Sequence, residues 1–318
     1  MRTGAPAGHT GYFHQAAIYG SDQQRHDIIV AHITGALDAG EPVLAALGPE
    51  DASVPSALRD ASNVTWLPAL NASSRPATII KDLTAVLTPL AAAGSEQIRV
   101  VQAVPHPGVG SPWDGWCRYE AAVNGLLADL PLWGLCLYDG RTTPTEVLSD
   151  VQRTHPYVAT ADGGDQPNAR YIEPTAFLRS RDLLSADPLE QTPPTCELID
   201  PAPVTSRRAV RDSSLHTGLG AEDVEQLVLA TSEAVTNAIF HGEPPVLVKT
   251  WAVPDRMVVT VSDRGPGPAD PYVGLIPQRP VAQGGGLGLW IVHQLLEVAL
   301  GRTDYGFTLR FAAGHAAV

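Results

Sequence analysis

Residues 227–242 read LVLATSEAVTNAIFHG. At 3.6 residues per turn, Glu233, Asn237 and His241 stand at i, i+4 and i+8 and project from one helical face. Leu227, Val228, Ala234, Val235, Ala238 and Ile239 occupy the other faces and give the helix apolar surface to dock with. A polar stripe of this kind also suits a face exposed to water. A carboxylate and a carboxamide one turn apart, however, offer oxygen ligands for Mg²⁺ and a base for a water or hydroxyl.

Two later elements favour the chemical reading. The strand MVVTVSD (257–263) ends in Asp263 and runs at once into RGPGP, with Gly265 and Gly267. A carboxylate there can accept a hydrogen bond from an exocyclic amine, beside a loop whose bare backbone lets a ligand approach closely. QGGGLGLWIVHQLLE (283–297) then places Gly284, Gly285, Gly286 and Gly288 before an amphipathic helix. Exposed N–H groups at the positive end of a helix dipole favour phosphate. The surrounding pattern predicts helices over 206–216, 221–241 and 287–299. It also predicts strands over 246–252 and 256–262 and a last strand or hairpin over 302–313. That arrangement is an α+β two-layer domain.

EAVTNAIFHG, DRGPG and GGGLGLWIV together resemble the N, G1 and G2 boxes of the GHKL (Bergerat-fold) ATPases, in particular the anti-sigma-factor serine kinases. The resemblance covers about residues 204–313. It implies ATP and Mg²⁺ as cofactors, Glu233 as general base, and Asn237 as the Mg²⁺ ligand, with His241 on the same face. It also implies Asp263 as the adenine-reading carboxylate, with Gly265, Gly267, Gly284, Gly285, Gly286, Leu287 and Gly288 around the nucleotide and its lid. The final strand, YGFTLRF, departs from the family's Gly-Thr pair: Phe307 stands where the first threonine is expected, which leaves Thr308 as the candidate contact. Histidine kinases share these boxes but need a helical hairpin that presents a phosphoacceptor histidine. His155 beside Pro156 and His216 beside Thr217 lie in no such helix.

The chain's 318 residues are 44% apolar and 17% charged, with net charge −13. An acidic chain repels phosphate backbones, so direct nucleic-acid binding is not expected. No run approaches a membrane span, and no secretory leader is visible at the start. Three cysteines without a CxxC pair argue against a disulfide scaffold or a cysteine zinc site and suit a reducing cytoplasm. Before residue 203 there are 12 basic and 23 acidic residues, and after it 9 and 11, so the acidity belongs to the first half. The Pro/Asp/Thr-rich stretch 181–204 reads as a linker between domains at 11–180 and 205–314.

In the first half, strands over 16–20, 42–47, 64–68, 98–104 and 132–139 alternate with helices over 22–39, 53–61, 75–93, 113–129 and 144–153. This is the pattern of a doubly wound parallel sheet. No GxxxxGK[ST] loop is present, and the chain's two lysines, Lys81 and Lys249, do not follow glycines. FHQAAIYGS (13–21), the stretch 118–158 and NARYIEP (168–174) resemble the MEDS sensory domain, a RecA/KaiC-type fold that has lost its nucleotide loop. The resemblance implies sensing over about residues 11–175. Glu120 and Asp139 are the candidates to line a small-molecule pocket beyond the strand ends. His14 and His155 lack any metal-ligand spacing and read as hydrogen-bonded structural residues. Cys136 reads as buried and inert. Trp116 and Tyr119 read as core aromatics.

The expected protein is a cytoplasmic regulator: an ATP-binding anti-sigma factor and serine/threonine kinase that works by partner switching under an N-terminal sensor. Its expected partners are a sigma factor and an anti-sigma-factor antagonist, with Arg207, Arg208 and Arg211 available to an acidic partner or to phosphates. A non-catalytic ATP-dependent binding module is the alternative.

Overall fold

Short apolar runs separated by amphipathic stretches build the first of two units. The strands β1 (Phe13–Tyr19), β2 (Val43–Ala46), β3 (Val64–Trp66), β4 (Ile98–Ala103) and β5 (Leu132–Asp139) alternate with α1 (Asp22–Ala39), α2 (Ser56–Arg59), α3 (Pro76–Ala92) and α4 (Ser111–Leu126). They are followed by α5 (Thr145–Thr154), β6 (Tyr157–Ala159), β7 (Asp165–Pro167) and α6 (Pro174–Ser180). The structure is a computed structural model and describes residues 9–48, 50–71, 74–106, 111–159, 164–180, 184–276 and 287–314. One unit holds the chain up to Ser74 and from Ile80 to Phe177; the other holds Arg75–Ile79 and the chain from Leu178 onward.

The first sheet has the order β3-β2-β4-β5-β1-β6-β7 and is parallel except for the β6–β7 pair. All of β2, and all of β1 except Ile18, is buried, as a parallel sheet covered on both faces requires. Helix α1 starts where the Ser21 side chain accepts from the Gln24 N–H. It stops at Gly40, whose φ of 71° only glycine adopts without strain.

The second unit contains β8 (Cys196–Ile199), α7 (Pro203–Ser214), α8 (Ala221–His241), β9 (Leu247–Val253), β10 (Arg256–Asp263), α9 (Gly288–Leu295), β11 (Glu297–Arg302) and β12 (Phe307–Gly314). Its sheet, β11-β12-β10-β9-β8, is antiparallel throughout. The inner face packs Val259, Val261, Leu309 and Phe311 against Leu227, Ala234 and Val235 of α8 and Val292 of α9. Acidic Glu222 and Asp223 in the first turn of α8 and His241 in its last complement the helix dipole.

Two expectations are corrected here. The helix expected over 287–299 ends at Leu295, and Glu297–Arg302 pairs with β12 instead. Its short apolar run, with the consecutive residues Val298 and Ala299 both buried, suits a strand as readily as a helix, and periodicity alone does not separate the two. The stretch 181–204 is also no plain linker over its described part. Residues 196–199 form the edge strand beside β9, and a single 3-10 turn, Pro188–Gln191, lies on the outer face of the sheet. Asp187 and Glu190 close a capping box around that turn. The same two carboxylates take up buried arginines: Arg256 with Asp187 at 3.2 Å and Arg310 with Glu190 at 2.8 Å. Leu189 packs beside Trp251, Val258 and Ala312.

Candidate functional site

Helix α8, the end of β10, the start of α9 and strand β12 surround a cleft of about 1300 Å³ in the second unit. Glu233, Asn237 and His241 all line it, so one face of α8 delivers the three residues that helical spacing groups together. Glu233 and Asn237 are half-buried and His241 is exposed. Gly288 opens α9 against Glu233: a Cβ there would sit 2.2 Å from Oε2 of Glu233, so a side chain at that place would displace the Glu233 carboxylate.

Asp263 closes the other side of the cleft, almost fully buried at the end of β10. The backbone N–H groups of Gly265 (2.7 Å) and Glu243 (3.2 Å) both donate to its Oδ1, which leaves the acceptor capacity of Oδ2 for a ligand. Gly242 and Gly265 press on this carboxylate so closely that a Cβ at either would fall within 2.8 Å of it. Gly265 therefore supports Asp263 and does not itself line the cleft, whereas Gly267 does. At φ 79°, Gly267 carries the Phe307 ring where a side chain would have been. Leu287 and Gly288 line the cleft too, while Gly284, Gly285 and Gly286 lie outside the described residues.

Thr308 is not brought to the cleft. Phe307 and Leu309 face it, so the period of two turns Thr308 to the opposite side of β12. There its hydroxyl meets Ser262 (2.8 Å) and Thr303 (3.1 Å). Two of the three candidate arginines are engaged within the domain as well. Arg207 donates to the Ser232 hydroxyl, and Arg211 forms a forked pair with Glu225.

In the first unit, Glu120 and Asp139 stand in different surroundings. Asp139 sits at the end of β5 with Arg141 at 2.7 Å, and that guanidinium holds its carboxyl below the ordinary value. Glu120 is wholly buried, beside His14 (3.4 Å), His155 (3.1 Å) and Cys136 (3.9 Å). Burial opposes its charge, but the two histidines outweigh burial and bring its carboxyl down to about 2. Burial, reinforced by His155, lowers His14 to about 4, and burial pushes the Cys136 thiol well up. These four residues come from β1, α4, β5 and the end of α5, so no short-range spacing announces them. The only signal in the sequence was the presence of polar residues in apolar elements.

Comparison with known proteins gives both halves a family. Residues 13–156 match the model of the MEDS domain, described as methanogen/methylotroph, DcmR sensory domain. Residues 200–312 match that of the histidine kinase-like ATPase domain. The serine-protein kinase RsbW of Bacillus licheniformis is 33% identical over 106 residues, 29% of this chain and 65% of that protein. The chain thus spans just under two thirds of the length of this curated relative. Two solved structures were also found. The histidine kinase domain of the E. coli osmosensor EnvZ is 19% identical, covering 40% of this chain and 93% of that one, with a TM-score of 0.23. The cytoplasmic domain of EssC is 10% identical, covering 49% and 34%, with a TM-score of 0.28. TM-scores this low leave both likenesses without weight. Among the described residues no helix is long and apolar enough to cross a membrane.

Proposed function

We propose that this chain, a MEDS domain ahead of a histidine kinase-like ATPase domain, is a signalling regulator that binds ATP with Mg²⁺ and phosphorylates a serine or threonine of a protein partner. One observation carries the reading: a single cleft collects Glu233 and Asn237 from α8, Asp263 from β10 and Gly288 from the start of α9. The residues present fit the nucleotide. Asp263 keeps one carboxylate oxygen for a donor, and glycines 242, 267 and 288 leave open backbone where a side chain would obstruct the cleft or its walls.

In this reading Asp263 reads the exocyclic amine of adenine, and His241 stands at the mouth of the cleft. Gly265 and Gly267 shape the loop after β10, and the run Gly284–Gly288, with Leu287, covers the phosphates. Asn237 holds Mg²⁺, whose charge stabilises the transferring phosphoryl group. Glu233 accepts the proton of the acceptor hydroxyl as its oxygen takes the phosphoryl group and ADP departs. The relative's name, serine-protein kinase, supports serine or threonine as acceptor. By the same likeness we assign the chain to the cytoplasm, a sigma factor as the partner it holds, and an antagonist protein as the one it phosphorylates. The MEDS domain, a parallel sheet without the phosphate-loop lysine, is assigned the RecA/KaiC-like ancestry and the control of output by a small-molecule signal.

The test is incubation of the full chain with γ-labelled ATP and a panel of antagonist proteins. Acid-stable label on a partner is expected. Acid-labile label on the chain itself would indicate a histidine kinase, ATP binding without transfer a nucleotide-gated binding module, and no ATP binding would refute the reading.

A further inference from the structure

His14 on β1, Glu120 on α4, Cys136 on β5 and His155 after α5 bring four potential ligand atoms within 4.8 Å of one another, all wholly buried. A tetrahedral ion with bonds of about 2.0–2.3 Å sets its ligand atoms about 3.3–3.8 Å apart. The distances here bracket that range. Nε2 of His14 lies 3.3 Å from Sγ of Cys136 and 3.4 Å from Oε2 of Glu120, and that oxygen lies 3.1 Å from Nε2 of His155 and 3.9 Å from Sγ.

The surroundings hold each donor in ligand orientation. The amide nitrogen of Asn124 donates to the carbonyls of Glu120, Ala121 and Thr154, so its oxygen must accept from Nδ1 of His14 at 3.0 Å. That fixes the tautomer and leaves the lone pair of Nε2 facing the centre. Nδ1 of His155 likewise donates to the Val151 carbonyl at 2.8 Å, and its Nε2 makes no hydrogen bond despite standing close to Glu120. Imidazoles pinned through one nitrogen by an outer acceptor, with the other nitrogen bare, are the usual arrangement of metal-binding histidines. Gln102 donates to Sγ of Cys136 at 3.2 Å and is itself held by the Tyr119 hydroxyl at 3.3 Å. A donor aimed at sulfur suits a thiolate. Charge points the same way: a thiolate and a carboxylate neutralise a divalent cation, so the buried centre carries no net charge.

We propose that these four residues form a closed mononuclear site for a divalent transition-metal ion, with zinc the ion best suited to two imidazoles, a thiolate and a carboxylate. With four protein ligands and no open position, the ion ties β1, α4, β5 and α5 together and performs no catalysis. The assignment is independent of the kinase reading.

The experiment uses the untagged full-length chain. Metal analysis after exhaustive removal of loose ions is expected to give one zinc per chain. X-ray absorption at the zinc edge should show one sulfur and three nitrogen or oxygen neighbours. Cobalt added to the stripped protein should produce thiolate charge-transfer absorption that saturates at one equivalent. Cys136→Ala should abolish that band, and Cys196→Ser, which removes the half-exposed thiol, should leave it. A wild-type chain that holds no stoichiometric metal under zinc would overturn the site, as would a sulfur-free first shell or a band that survives Cys136→Ala. The absorption measurement needs no variant, so a misfolded Cys136→Ala does not blunt the test.

Discussion

The two halves of the chain concentrate their chemistry in opposite ways. In the second unit the cleft draws on a short span of sequence, from Glu233 to Leu309, and its polar residues reach it from the face of one helix, the end of one strand and, with Asp270, the loop that follows that strand. In the first unit four buried donors converge from positions 14, 120, 136 and 155. Chemistry encoded by local geometry shows as spacing, because the helical repeat alone decides which side chains share a face. Chemistry encoded by topology shows only when strand order is known, because a crossover sets which distant residues meet.

The sharpest way to break this contrast is to ask whether the second unit is as local as its motifs suggest. A fragment of residues 184–318 keeps the turn at Pro188–Gln191 and the edge strand β8, and is expected to fold cooperatively and bind ATP. A fragment of residues 204–318 loses both and leaves Arg310 buried without Glu190, which is only slightly exposed in its place. Breaking a buried ion pair costs about 3–5 kcal/mol, comparable with the whole stability of a small domain, about 5–15 kcal/mol. Thermal melts should find the shorter fragment unfolded or insoluble; equal melting temperatures would return the stretch to the status of a linker.

Next in size are the roles on α8. Glu233→Ala is expected to lower phosphotransfer by about 10²–10⁴-fold with ATP affinity nearly intact. Asn237→Ala should lose transfer together with Mg²⁺-dependent ATP binding. Identical behaviour of the two variants, measured by single-turnover transfer and calorimetry, would dissolve the division of labour along the helix.

Asp263→Asn is a smaller and cleaner change. The Gly265 and Glu243 donors keep their oxygen at Oδ1, so the melting temperature should hold, while the new NH₂ meets the adenine amine donor to donor. Loss of one charge-assisted hydrogen bond, worth about 1.5–3 kcal/mol, weakens ATP binding by roughly ten- to a hundredfold. Unchanged affinity would remove Asp263 from the nucleotide's contacts.

Arg211→Ala should do least. Its partner Glu225 and the arginine itself are both largely exposed, and such pairs contribute about 1 kcal/mol or less. A large loss of stability or of ATP binding would show that the arginines of α7 have a function beyond this pair.

Much of this was legible in the sequence, for reasons that can be named. The alternation of apolar runs and amphipathic stretches placed β1 to β5 and their helices within a few residues. Helical spacing placed Glu233, Asn237 and His241 on one wall of one cleft. What escaped depended on pairing. Thr308 faces away because strand parity, set by the β10 register, turns Phe307 inward. The turn at Pro188–Gln191 resembled a linker because its composition is that of one. Its anchors, Arg256 and Arg310, lie far along the chain on strands β10 and β12. Cys136 reads correctly as buried and His14 and His155 as hydrogen-bonded, but Glu120, expected to line a pocket beyond the strand ends, is wholly buried, and nothing local could say that the four lie together.

The strand order of the first sheet has a consequence for how the chain is made. β1 leaves the ribosome long before its two neighbours in the sheet, β5 and β6, which begin at Leu132 and Tyr157. Until those are synthesised, FHQAAIY waits as an apolar strand with both edges unpaired, the kind of segment that seeds aggregation. The β2–β3–β4 sector can pair early, but the centre of the sheet closes late and over long loops, which slows folding. Nascent chains stalled before β5 should therefore recruit chaperones at their N-terminal end, and chains released after β6 should not.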